Sequence, residues 1–108
     1  MSWRCIVCGK KISEDHKPDA CSLCGVVGDY IVADSEYERP NGTLSVSAVA
    51  DFDRALALEV EATRIYEEAA ERAMNEGDEL TTAFFEALAK NEHGHQVAIK
   101  FQKRMRSG

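Results

Sequence analysis

Four cysteines within the first 24 residues, arranged as Cys5-Ile6-Val7-Cys8-Gly9 and Cys21-Ser22-Leu23-Cys24-Gly25, constrain this chain more than any other feature. Two residues between thiolates turn both sulfurs of a pair toward one ion, and the glycine that follows lets the backbone bring N–H groups near sulfur. Two such knuckles facing each other, with twelve residues between them, make a tetrahedral sulfur cage at Cys5, Cys8, Cys21 and Cys24. The competing arrangement, a pair of disulfides, belongs to oxidising compartments. Met1–Lys10 is polar and cysteine-bearing with no apolar signal segment, so the expected location is cytoplasmic and the thiols are expected to be reduced. Tetrahedral thiolate suits zinc and iron alike, and the spacing does not separate an inert zinc ribbon from a redox-active iron centre. With four thiolates available, His16 between the knuckles reads as a surface loop residue.

The remainder divides by composition. Residues 1–33 form the four-cysteine metal domain, in which Val26–Val32 is predicted as a closing strand with a turn at Gly28 and Asp29. Residues 34–47 are polar, and Arg39-Pro40-Asn41-Gly42 marks a linker. Residues 48–106 carry a helical period. The balance of 19 acidic against 13 basic residues, formally −6, argues against a nucleic-acid surface, and no apolar run is long enough for a membrane span. In 108 residues neither half has the mass for a self-sufficient core, so metal and oligomerisation are the expected staples.

In the helical part, Phe52, Leu56, Glu59, Ala62, Thr63, Tyr66, Ala69, Ala70 and Ala73 recur at three- and four-residue steps, with Ser47 as candidate N-cap and Gly77 as the stop. A second helix from about Asp78 presents Thr81, Phe85, Leu88, Glu92, His95 and Ile99 on one stripe. Phe84, Ala87, Ala98 and Phe101 lie on an adjacent one. The connection is short, so the helices run antiparallel. Lys100, Lys103, Arg104 and Arg106 suit the negative end of the second helix dipole. The informative feature is what interrupts the apolar stripes. Glu59 lies two turns before Tyr66 on the same face, and Glu92 and His95 present themselves from one turn of the second helix. Carboxylates in a helical core cost several kcal/mol unless compensated, and no Lys or Arg shares their stripe. A cation is the simplest compensation. Four-helix carboxylate sites take one Glu from each of two helices and a Glu-x-x-His from each of the other two; this hairpin has one of each, which is half a site. Two copies about a two-fold axis would supply four Glu and two His. The bland alternative puts Glu59 and Glu92 at the border of an exposed face, with His95 a satisfied polar residue.

A resemblance favours the metal. The stretch Trp3–Gly9 with Pro18–Gly25 resembles the rubredoxin-like domain of rubrerythrins, and Glu59–Tyr66 with Phe85–His95 is similar to the two helices of a rubrerythrin or ferritin-like half-domain. The resemblance implies a mainly α fold: a small rubredoxin-like N-terminal domain followed by a helical hairpin that dimerises into a ferritin-like four-helix bundle. It implies iron in the thiolate cage, with zinc the alternative because Ser22 stands where the family usually has proline. It also implies a di-iron carboxylate centre shared across a homodimer or larger even oligomer. Glu59 would then be a terminal ligand, Glu92 a bridging ligand, His95 a terminal imidazole, and Tyr66 a hydroxyl steadying a carboxylate. The implied activity is an oxidoreductase that reduces hydrogen peroxide or dioxygen with electrons from the cysteine site. No nucleotide-binding fingerprint is present, so those electrons would come from an external donor or an NAD(P)H-dependent reductase. One departure bears on the substrate. Peroxide-reducing members carry an extra glutamate one turn after a first-helix ligand; Ala62 stands there, leaving room for ferritin-like iron oxidation or, if the metal is zinc, a dimerisation module.

Overall fold

The computed structural model describes residues 1–107. Strand β1 (Ser2–Cys5) lies between β2 (Lys11–Ser13) and β3 (Ile31–Ala33), antiparallel to both, and two long helices follow, α1 (Val46–Asn75) and α2 (Glu79–Met105). The chain is therefore mainly helical, with a three-stranded cysteine ribbon ahead of an antiparallel hairpin.

Each helix begins where its sequence supplies a cap. Ser45, not Ser47, is the N-cap of α1: its hydroxyl accepts from the Ala48 N–H at 3.1 Å, and the helix starts at Val46, two residues ahead of the expected boundary. Val46 is exposed, so the apolar period carried no signal there. Asp78 caps α2 through the Thr81 N–H, and the Thr81 hydroxyl also donates to it. Together these bonds hold its carboxyl below the usual range, the hydroxyl contributing most. The stripe predicted on α1 is buried or half-buried throughout, as is the Thr81-to-Ile99 stripe of α2. The adjacent α2 stripe behaves differently: Phe101 is buried and Ala98 packs against the ribbon, whereas Phe84 and Ala87 face solvent. What covers its C-terminal half is the ribbon, and the ribbon does not extend further.

The expected strand over Val26–Val32 is also shorter than predicted. A 3-10 turn occupies Gly28–Tyr30, and pairing with β1 begins at Ile31. Gly28 donates its N–H to the Asp19 carbonyl at 2.7 Å and lies so close to Pro18 and Asp19 that a side chain would collide with their backbone. That contact turns the chain before it can extend. The segment after β3 is tied down at both ends: Arg4 and Lys11 pair with Asp34, and buried Leu44 donates its N–H to the Arg106 carbonyl.

The ribbon seats on the α2 of its own chain. Gly94, Val97, Ala98, Phe101 and Gln102, spaced to share one helical face, form the seat. Val97 and Ala98 pack on the cysteine cluster, Phe101 closes on Gly9, and Gln102 donates to the carbonyls of Ile6 and Val7 at 3.3 and 2.9 Å. The whole molecule is a slab 48 × 39 × 15 Å. Its thin dimension is little more than one helix diameter of about 10–12 Å, so the hairpin is a single layer.

Candidate metal centres

The two knuckles are built alike. In the first, Cys5 N–H donates to Lys10 O and Gly9 N–H to Cys5 O; in the second, Cys21 N–H donates to Val26 O and Gly25 N–H to Cys21 O, all at 2.8–2.9 Å. Each closing glycine has the left-handed conformation that the turn requires, with φ of 83° at Gly9 and 81° at Gly25. All four sulfurs fall within 4.8 Å of one another, with Cys5 Sγ to Cys24 Sγ at 3.8 Å and Cys8 Sγ to Cys21 Sγ at 3.7 Å. A tetrahedral ion with metal–sulfur bonds of about 2.3 Å has sulfur–sulfur edges of about 3.8 Å. The cage thus has the size its ion needs.

Without an ion, Cys5, Cys8 and Cys24 differ in how tightly they hold their protons. The neighbouring Cys8 thiol holds Cys5 down at about 5, and the same interaction, with burial, pushes Cys8 up. Burial pushes Cys24 up to about 11. Metal binding at neutral pH must therefore displace protons.

The second cluster joins the helices. Glu59 from α1 and Glu92 and His95 from α2 place one donor atom each within 4.8 Å of the others. His95 Nδ1 stands 3.4 Å from Glu59 Oε2 and 3.6 Å from Glu92 Oε2. Two donors bound to one ion at about 2.0–2.2 Å are at most about 4.4 Å apart, and both separations meet that limit. The carboxylate side chains are 23% and 20% exposed and the imidazole 44%, so the acids are half-sunk and the histidine opens outward. Glu59 Oε2 itself is buried and hydrogen-bonded to nothing among the described residues. A buried carboxylate oxygen without a donor is costly, and a cation is the partner its position fits. The Tyr66 ring stacks on Phe85 with centroids 6.1 Å apart, and its hydroxyl makes no hydrogen bond among the described residues. His16 is exposed, as expected, and exposed His93 lines a groove with Glu67, Glu71 and Glu86 on another side of the hairpin.

Three residues that position the sites were not singled out from sequence. Gln96 donates to the Thr63 hydroxyl at 2.8 Å and to the Glu59 carbonyl at 3.4 Å, pinning α2 to α1 beside the cluster. Gln102 ties the ribbon to α2, and Gly94 lets it approach. Only Gly94 left a signal, since a glycine inside a helix costs about 1 kcal/mol against alanine and so marks a close approach.

A thiolate cage and a carboxylate–imidazole cluster on a helical hairpin fit the binding of metal ions. The family model for rubrerythrin matches residues 52–107, and the chain belongs to the rubrerythrin family. Comparison with curated proteins and with solved structures finds no match. No helix among the described residues is long and apolar enough to cross a membrane.

Proposed function

We propose that this chain is one half of a non-haem di-iron oxidoreductase, in which two hairpins share one carboxylate centre and each thiolate site supplies electrons to it. The observation that carries the reading is the buried Glu59 oxygen that accepts no hydrogen bond among the described residues, beside Glu92 and His95. Glu59, Glu92 and His95 of each copy would hold the irons, Gln96 and Thr63 would keep the two helices in register around them, and Cys5, Cys8, Cys21 and Cys24 would hold the single iron. When bound, the iron pair supplies the two electrons that, with two protons, convert hydrogen peroxide to two waters. The half-exposed His95 side leaves the approach for a small oxidant.

The missing ligands point to a second copy, and so does the surface. The chain exposes 7148 Å², roughly 1,100 Å² more than the ~6,000 Å² expected of a 12.0 kDa monomer. That excess is of the order of one partner's share of a stable interface. With about 100° per residue, Leu58, Ala62, Ile65 and Ala69 of α1 share one flank, and Phe84, Ala87 and Asn91 of α2 share another. Because the helices are antiparallel, both flanks face the same way, beside the acid cluster. Leu58 is 66% and Phe84 59% exposed there, and a second layer would cover them.

A second reading, Fe(II) oxidation, is favoured by Ala62, which stands where peroxide-reducing relatives of this kind carry a further glutamate. The deciding experiment pairs metal analysis with mass measurement in solution, then compares peroxide consumption with Fe(II) oxidation under air. About two irons per chain in an even assembly, with peroxide consumed faster than Fe(II), supports the first reading. Leu58→Glu should dissociate the assembly and empty the carboxylate sites while the thiolate ion stays. A monomeric wild-type chain, or one whose only metal is on the cysteines, refutes it.

A further inference from the structure

The internal glycine of α2, Gly94, brings the second knuckle against the helix that carries Glu92 and His95. A Cβ built on Gly94 would lie 1.6 Å from the Leu23 carbonyl oxygen and 2.6 Å from its carbon. Since Cβ sits about 1.5 Å from Cα, the Leu23 oxygen is at most about 3 Å from the Gly94 Cα, tighter than the about 3.3–3.6 Å of an ordinary Cα–H···O contact. Leu23 lies inside the second knuckle, adjacent to Cys24, and Gly94 is peptide-bonded to His95. The same junction forms a small cleft lined by Cys21, Leu23, Cys24, Asn91 and His95. No side chain fits between knuckle and helix here.

The rest of the seat is consistent with a fixed distance. At its far end Gln102 donates to Ile6 and Val7, within the first knuckle, and Phe101 lies against Gly9 so closely that a side chain at Gly9 would strike its ring. Both knuckles are thereby held to one helix, each through a contact with a glycine on one side. Such a construction serves little in a ribbon that only stabilises the chain. It matters when something must cross from the sulfur cage to the adjacent histidine, because electron transfer falls exponentially with distance.

We propose that Gly94 is a positioning residue for electron transfer, setting the approach of the second knuckle to His95 through the Leu23 contact. The inference rests on the di-iron reading above. In the step it governs, the ferrous ion held by the thiolates loses one electron and becomes ferric. A ferric ion at Glu59, Glu92 and His95 gains that electron and becomes ferrous. An external one-electron reductant, dithionite in the test, restores the first. No bond to Gly94 forms or breaks.

The test uses the full iron-loaded chain in its native assembly. Gly94→Ala must move Leu23 outward to make room for the methyl, and amide hydrogen exchange should rise over residues 21–25 and 94–102. After dithionite reduction and mixing with peroxide, reoxidation of the thiolate iron, followed by its visible absorption, should slow several-fold relative to the wild type. Iron content and the reduction potential of the thiolate site should stay as in the wild type. Gln102→Ala, which removes the hydrogen bonds to the Ile6 and Val7 carbonyls and adds no bulk, should give a smaller slowing of the same kind. This variant keeps the inference testable if Gly94→Ala does not fold. Gly77→Ala is the control: its φ of 77° strains any side chain but nothing lies within 4 Å, so it should lower stability and leave reoxidation unchanged. Wild-type reoxidation in fully loaded Gly94→Ala, or unchanged hydrogen exchange at the seat, overturns the positioning role. Failure of the wild type to take iron at the acid cluster overturns the di-iron reading instead, and with it the electron step, while hydrogen exchange still reports whether Gly94 makes the seat.

Discussion

Removing the thiolate ion should unfold the ribbon while the hairpin keeps its helices. The ribbon's buried cluster consists of three cysteines with Ile12 and Ile31. Burying an isoleucine is worth about 1.5–3 kcal/mol, so these two supply on the order of 5 kcal/mol. Ordering each residue of the ribbon costs about 1–2 kcal/mol in backbone entropy. Binding a structural ion to thiolates is worth about 10–16 kcal/mol at neutral pH, and in a domain this small that binding is the folding energy. Trp3, the only tryptophan, lies in β1 and donates its indole N–H to the Glu14 carbonyl at 3.2 Å, so its fluorescence reports the ribbon alone. Titrating a chelator should shift Trp3 emission to the red in step with metal release, while far-ultraviolet circular dichroism, dominated by the 30 residues of α1 and 27 of α2, changes little. Restoring the ion should reverse the shift and release protons, because thiols such as Cys8 and Cys24 hold theirs tightly without it. A metal-free chain with native Trp3 emission and an intact ribbon would show that the apolar contacts suffice and that the energetic reasoning is wrong.

Glu92→Ala should abolish metal at the acid cluster and leave the thiolate ion in place, as read by metal analysis; full retention of the second metal would exclude Glu92 as a ligand. Thr63→Val should leave the Gln96 amide only its longer bond to the Glu59 carbonyl, at a cost of about 1 kcal/mol for the lost hydrogen bond, which chemical denaturation of the loaded protein would measure. The Asp78 carboxyl titrates lower in the folded chain than in the unfolded one, so its cap stabilises fully above the ordinary carboxylate pKa and is lost as pH falls through the lowered value. Thermal melts between pH 2 and 5 should therefore show a smaller acid-induced loss in Asp78→Asn than in the wild type; identical pH profiles would mean that the cap carries no linkage.

Much of this protein was legible in one dimension, because its chemistry is local in sequence. Two knuckles of identical spacing determine a sulfur cage, since a turn's geometry depends on only a few residues. Helical period alone brought Glu92 and His95 onto one turn and Glu59 onto the opposing face. Other features depended on contacts far apart in the chain. The true N-cap at Ser45 was masked because exposed Val46 contributes no period. The adjacent α2 stripe divides into a covered and an open half only because the ribbon reaches as far as Gly94 and no further. That the knuckle docks on its own α2, through backbone that admits no side chain, is a property of close packing between residues some seventy positions apart. Spacing along the chain specifies which groups share a turn; only the tertiary structure decides which turns meet.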